Sequence, residues 1–413
     1  MRKLAALLPA LLSSLHLHAA ESEWPQFRGP RGDGSSLATD LPLEWSSEKN
    51  IAWRVQIPGK GWSSPVLSKG RLYLTSAVSS ETGTHLHALC LDAQSGALLW
   101  NTPVFVADPA AAAAIHRKNS LASPTPIVTD SVLFAHFGHM GTAALDLSGR
   151  ILWKQETLGY QPVHGAGGSP VLVENRLIFS ADGREKPVLT ALDARSGALL
   201  WQTPRNSPAK KQFSFSTPAV ITADGVLQII SPASGFVGSY APEDGRELWR
   251  VTYGEGYSVI PKPVHAHGLL FLGSGYDAPS FYAVKPQGAA GDATVSHVAW
   301  TLKKGAPHTP SALVVGNEIY LVSDSGIATC ADAVSGTVHW TERLGGNFSA
   351  SPFAAGDRLY FLSESGETSV LKAGTTFQLL ARNPLGERTL ASCVPADHAL
   401  YLRSEEHLFK IGR

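Results

Sequence analysis

Short alternations of apolar and polar residues, each closed by a turn, run through this chain from residue 51 to its end. Residues 63–100 give the pattern. Ser64-Pro65-Val66-Leu67 reads as a buried strand, opened by a proline of the kind tolerated at a strand's first residue. Arg71-Leu72-Tyr73-Leu74-Thr75 alternates after a Lys69-Gly70 turn, and His85 to Leu91 alternates again. Ala97-Leu98-Leu99-Trp100 closes the set. The spacing therefore predicts four short strands per unit. Only Ala110–Ala114, followed by Ile115-His116-Arg117, predicts a short helix, inside a loop.

The unit recurs. Asp92-Ala93-Gln94-Ser95-Gly96 leads to Trp100, Asp193-Ala194-Arg195-Ser196-Gly197 to Trp201, and Asp332-Ala333-Val334-Ser335-Gly336 to Trp340. In such a turn the Asp side chain caps backbone N–H groups and the Gly takes a positive φ. Weaker copies end at Trp153 and Trp249, while Trp53 and Trp300 keep only the tryptophan. A four-stranded unit at a fixed spacing predicts a β-propeller, with these seven tryptophans docking neighbouring blades.

Inner-strand openings at Ser64-Pro65, Ser123-Pro124, Ser169-Pro170, Thr217-Pro218, Lys262-Pro263, Thr309-Pro310, Ser351-Pro352 and a degenerate Cys393-Val394-Pro395 predict eight blades. The last has room for only three strands, around Val394, Ala399–Arg403 and His407–Ile411. Its missing outer strand is Ile51–Ile57. The expected fold is all-β: an eight-bladed propeller of four-stranded antiparallel blades, closed by the N-terminal strand, which removes exposed sheet edges.

Residues 50–413 make the propeller and residues 21–49 an extended strap, in which Trp24 and Phe27 need burial. Residues 1–20 read as a signal peptide: Arg2-Lys3, an apolar run from Leu4 to Leu17, and a small-residue cleavage site at His18-Ala19-Ala20. The absence of a Cys near that site argues against lipid anchoring, and no later stretch is long and apolar enough to span a bilayer. A periplasmic or secreted monomer is expected. Lys+Arg and Asp+Glu balance at 34 each, which gives no field for nucleic acid. Of the three Cys, Cys90 and Cys330 hold a position occupied elsewhere by Ala144 and Ala191, the place of a small packed residue.

With its Ala/Cys, Asp, Ser-Gly and Trp positions, the repeat resembles that of the quinoprotein-type propellers, which carry pyrroloquinoline quinone (PQQ) repeats. The family includes PQQ dehydrogenases, a non-enzymatic propeller of the outer-membrane β-barrel assembly machinery, and exported PQQ-binding-like propellers. Trp24-Pro25-Gln26-Phe27-Arg28-Gly29-Pro30, Ser123-Pro124-Thr125-Pro126 and His136-Phe137-Gly138 resemble the last group. The dehydrogenases sandwich the quinone between a tryptophan and adjacent cysteines, hold Ca²⁺ on carboxylate and amide oxygens, and use an Asp base. This chain has no Cys-Cys pair and no clear acidic trio at its strand openings. No cofactor is therefore expected, with PQQ and Ca²⁺ the alternative.

Candidate site residues come from the long loops of one propeller face: Trp62, His116, Arg117, His136, His139, His164, Arg184, Arg205, Tyr257, Asp277 and His308. Of these, His136, His164, Arg205 and His308 are expected to converge on the channel mouth. His85-x-His87 and His265-x-His267 each put two imidazoles on one strand face, as metal ligands or as exposed, hydrogen-bonded histidines. The expected function is non-catalytic binding of a protein or saccharide partner through the loop-rich face. A PQQ- or metal-dependent oxidoreductase using the central funnel is the alternative.

Overall fold

The computed structural model describes residues 23–413 except Thr39 and Ala278. The proposed signal peptide lies outside the described residues. Eight sheets follow one another along the chain, each with a body of four antiparallel strands; two of them add a short parallel edge strand. Blade 1 is built from Val66–Ser68, Arg71–Ser80, Gly83–Asp92 and Leu98–Val106. Blades 2 to 7 repeat the pattern up to Leu379–Pro384. Blade 8 takes Val394–Ala396, Ala399–Arg403 and His407–Gly412 from the C-terminus and Ile51–Gln56 from the N-terminal side. Ile51–Gln56 pairs antiparallel with His407–Gly412, placing Trp53 opposite Lys410 and Gln56 opposite His407. The ring is thus closed by the strand that the sequence assigned to it.

Two layers of contacts join the blades. At the outside, the Asp turn of one blade receives the tryptophan of the blade before it. Asp92 Oδ1 accepts from the N–H of Gln94 and Ser95 and from Ser95 Oγ, and Gly96 follows with a φ of 74°. A Cβ on Gly96 would sit 3.0 Å from the Trp53 ring, so glycine there lets the indole lie flat on the turn. Trp53 Nε1 then donates to the Ala93 carbonyl. Trp100, Trp153, Trp201, Trp300 and Trp340 likewise donate to Leu147, Ala194, Pro242, Ala333 and Gly374 of the next blade. Directly across its own blade, Trp100 pairs with Cys90, Trp201 with Ala191 and Trp340 with Cys330. The bulk of the indole explains the small residue opposite. Burial pushes the Cys90 and Cys330 thiols up to about 12, so they stay protonated and inert.

Trp249 breaks the rule. Its Nε1 bonds Gln228 of its own blade, and the short strand Gly291–Asp292 adds a fifth strand alongside it.

At the axis, the residue two positions before each inner strand closes a ring. Ser64 N–H donates to Thr125 Oγ1, Thr125 to Ser169 Oγ, and Ser169 to Thr217 Oγ1. On the other half, Lys262 donates to Ser311 Oγ, Ser311 to Ser351 Oγ, Ser351 to Ser392 Oγ, and Ser392 back to Ser64 Oγ. Seven of the eight ring positions are hydroxyls and Lys262 is the exception. In blades 2, 6 and 8 the ring residue is Thr125, Ser311 or Ser392, shifted from the openings read at Ser123, Thr309 and Cys393.

The N-terminal strap is not extended as expected. Residues 26–32 fold into tight turns, with Gly29, Gly32 and Gly34 at positive φ. Trp24 is buried and exchanges two backbone hydrogen bonds with Leu67. Pro25 accepts from Val128 in blade 2. Arg28 crosses to the far side and donates to the carbonyls of Ala312 and Pro352 in blades 6 and 7. The strap therefore bars the lower end of the channel. A Cβ on Gly32 would lie 2.3 Å from Lys262 Nζ, so the buried lysine packs directly on this turn.

Trp340 is only 9% exposed, whereas Trp201 is half-buried. Trp340→Ala is expected to cost about 3–5 kcal/mol, the range for a large core aromatic, and Trp201→Ala clearly less. Denaturant unfolding of the two variants checks the order. Equal losses would show that exposure does not grade the docking contacts.

Candidate functional site

The loops that lead into successive inner strands rise on one face and enclose a funnel of about 340 Å³. Its floor is the hydroxyl ring, with Ser64, Thr125, Ser169, Thr217, Ser311, Ser351 and Ser392 all facing it, and Phe27 of the strap seals the bottom. Above the floor, each lead-in loop of blades 2 to 6 supplies an aromatic or imidazole ring. The rings touch in series. His116 lies 5.2 Å from His164, and His164 lies 5.5 Å edge-on to Phe213. Phe213 contacts Tyr257 at 5.3 Å, Tyr257 contacts Tyr276 at 6.3 Å, and Tyr276 contacts His308 at 4.4 Å. Trp62 stands apart from this crescent, in the lead-in loop of blade 1, with Arg388 over its ring at 5.1 Å.

Polar groups hold the crescent in place. Asn119 Nδ2 donates to the His164 carbonyl, and its Oδ1 accepts from Ser123 Oγ. Lys118, among the described residues the one lysine or arginine lining the funnel, is tied to Glu364 at 2.7 Å, and Glu364 also accepts from Ser349. Asp324 accepts from the backbone of His308 and Thr309 and from the Thr309 hydroxyl. Partial burial lowers the pKa of His164, and the neighbouring His116 and Arg184 lower it further. Its imidazole is therefore neutral near pH 7.

The structure gathers only part of the sequence-derived set. Trp62, His116, His164 and Tyr257 line the funnel, and His308 abuts it through Tyr276. Asp277 is exposed beside the mouth, accepting from the Tyr257 hydroxyl and pairing with Lys211. Arg184 is an exposed turn residue. Arg117 lines a separate lateral groove with Arg388 and Glu405.

His136, His139 and Arg205 do not reach the funnel lining. His136 is the last residue of its strand and points into the blade interface, bonded to Thr142 Oγ1 and with its ring tilted against Phe179 at 4.3 Å between centroids. His139 follows in a 3₁₀ turn against Tyr160. Arg205 is fully buried, with Nε and Nη2 on Asp182 and further bonds to Ser180, Ser231 and Tyr240, an ionic clamp between blades 3 and 4. His136 and Arg205 thus fall outside the convergence expected of four residues.

Sequence reasoning missed Lys118, Asn119, Phe213, Phe215 and Tyr276. The available signal was their position in the loop just before an inner strand, or just after the second one. Of the strand histidines, His87 bonds Asn101, His85 bonds Thr82, and His267 bonds the Gly316 carbonyl.

Residues 43–156, 87–255 and 233–379 match the sequence profile of the family described as outer membrane protein assembly factor BamB. The chain belongs to that family. Among solved structures it resembles BamB from Moraxella catarrhalis, with a TM-score of 0.60 at 13% identity, covering 87% of this chain and 97% of that one. It also resembles a europium-containing methanol dehydrogenase, with a TM-score of 0.70 at 12% identity over 92% and 89% of the two chains. Among curated proteins, the tetrathionate hydrolase of Acidithiobacillus ferrooxidans is 22% identical over 245 residues. That match spans 55% of this chain and 44% of the hydrolase, so the chain covers less than half of its relative. At these identities the shared property is the fold.

A BamB-family propeller shares its scaffold with quinone enzymes, so the funnel must be judged on its own residues. A bound Ca²⁺ takes six to eight oxygens, several of them from carboxylates. Among the described residues, none that lines the funnel is Asp or Glu. No cluster of three His, Cys, Asp or Glu side chains fit to hold a metal occurs among the described residues. The lining does not fit the cation of a quinone centre.

Burial holds the His136 pKa down at about 3, against an ordinary 6.5. Below pH 6.5 the unfolded chain binds a proton there and the folded chain does not, so stability falls as pH drops from about 6.5 towards 3. His136→Gln, which keeps a partner for Thr142, is expected to flatten part of this slope in melting temperature. Melts at pH 7 and 4.5 make the comparison. An unchanged slope would contradict a neutral, buried imidazole.

Proposed function

We propose that this BamB-family chain is an exported, non-catalytic propeller that acts as a monomer in the periplasm, or secreted beyond it, and holds a protein or saccharide partner on its loop-rich face. One observation carries the reading. Lead-in loops of consecutive blades set touching rings above a hydroxyl floor, and a plug of the same chain seals that floor. A rigid scaffold bearing a blind, half-aromatic concavity is a binding device.

Catalysis draws less support. The funnel's two imidazoles contact each other and His164 also contacts Phe213; among the described residues no carboxylate is hydrogen-bonded to orient either one, and the funnel's lysine is held by Glu364. The oxidoreductase reading rests on likeness to a methanol dehydrogenase and meets a funnel whose described lining residues include no carboxylate.

Hydrogen exchange of the purified protein with and without an envelope extract of its native host tests the reading. Protection is expected in residues 113–123, 160–168, 211–217 and 254–261. Protection confined to the outer rim would contradict it. So would stoichiometric, tight binding of PQQ with Ca²⁺, which would put the oxidoreductase first.

A further inference from the structure

We propose that the funnel receives the end of a neutral saccharide chain. The inference rests on reading the loop-rich face as the binding surface, and it names the chemistry that face selects. Four features of the funnel converge on it.

The funnel is blind. Phe27 lies at its base, and the strap crosses from blades 1 and 2 to blades 6 and 7 beneath it. A chain can enter but not thread through, so the funnel takes a terminus. Its 340 Å³ is at the low end of ligand pockets, roughly 300–1,000 Å³, which suits one or two sugar rings.

The floor is a circle of uncharged hydrogen-bonding groups. Each ring hydroxyl spends a lone pair on the N–H of the preceding ring residue. Among the described residues, Ser351 alone of the seven also gives its proton to a neighbour, Ser311. Six O–H donors are thereby left for a guest. A hydroxyl has one donor and two acceptor sites, so it can answer another hydroxyl in either sense. That is the surface a polyhydroxylated ligand needs.

The walls offer flat apolar faces. Phe215, Tyr257, Tyr276 and Trp62 all border the cavity. The C–H face of a pyranose packs on such rings while its hydroxyls turn to the floor.

The electrostatics are neutral. Among the described residues no carboxylate lines the cavity, Lys118 is paired with Glu364, and burial lowers the pKa of His164. Apart from the His116 imidazole, the described lining carries no unpaired ionisable side chain to select a charged ligand. A protein anchor is a poorer fit. Binding anchors of proteins are apolar or aromatic side chains in dry pockets, and such a group would strip water from six hydroxyls without replacing its bonds.

Saturation-transfer NMR and tryptophan fluorescence of the full mature chain provide the test. Cellotriose, maltotriose, mannotriose and chitotriose serve as neutral probes, with a galacturonic acid trisaccharide and an extended apolar peptide for comparison. At least one neutral trisaccharide is expected to bind saturably below about 10 mM, the weak end of specific binding. Tyr276 is 36% exposed, so Tyr276→Ala is expected to weaken binding about tenfold without shifting the melt, and Tyr276→Phe to retain it. No saturable binding of any neutral trisaccharide overturns the inference. So does tighter binding of the acidic sugar that Lys118→Gln abolishes. Peptide binding alone, with protection in the funnel, also overturns it while leaving the partner-binding reading standing.

Discussion

Everything in this molecule depends on closing a circle of eight sheets. A propeller is held by the sum of its blade-to-blade contacts, and one open joint exposes two unpaired edges at once. The chain meets this constraint at three radii. Near the axis, seven of eight ring residues accept the neighbouring backbone N–H on a hydroxyl. At the outside, six of the seven repeat tryptophans lie on the turn or bond the carbonyl of the next blade. At the joint itself, Ile51–Gln56 completes blade 8, and the buried Arg403 bonds Ser63 and Thr75 of blade 1.

The same ring positions the candidate site. Because every blade begins at an equivalent ring residue, every lead-in loop arrives at the same height on the same face. Residues separated by nearly two hundred positions, from His116 to His308, therefore form one series of touching rings. The exception at Lys262 is telling. A hydroxyl is replaced by an amine where the strap crosses, and burial beside Arg28 lowers its pKa to about 7. The strap and the lysine fill the axis where the ring is incomplete, which makes the funnel blind rather than open.

How legible this was depends on whether the signal was local. Blade number, strand order and the closing strand could be read from the sequence because the Asp-turn and its tryptophan form a contiguous motif. Cys90 and Cys330 were likewise readable as packed small residues, since they sit opposite an indole. The site was only half readable. His136 and Arg205 belong to the right loops by position, yet each is at a strand end where one residue of register decides between funnel and blade interface. His136 turns to Phe179 and Arg205 to Asp182, and neither partner is near in sequence. The ring residues were misread in three blades because Ser-Pro and Thr-Pro pairs occur twice in a row at Ser123-Pro124-Thr125-Pro126, and because Ala312 and Cys393 stand where Pro follows the ring residue elsewhere.

The central claim, that the closing strand Ile51–Gln56, the last three strands and the axial ring lock the propeller as one cooperative unit, is tested most directly by native-state hydrogen exchange of the full chain. The account predicts that segments 61–67, 122–128 and 390–396 exchange last and together, at the free energy of global unfolding, with 51–56 joining them. If 390–396 and 51–56 exchanged early while the other segments stayed protected, blade 8 would be a loosely attached end and the closure account would be wrong.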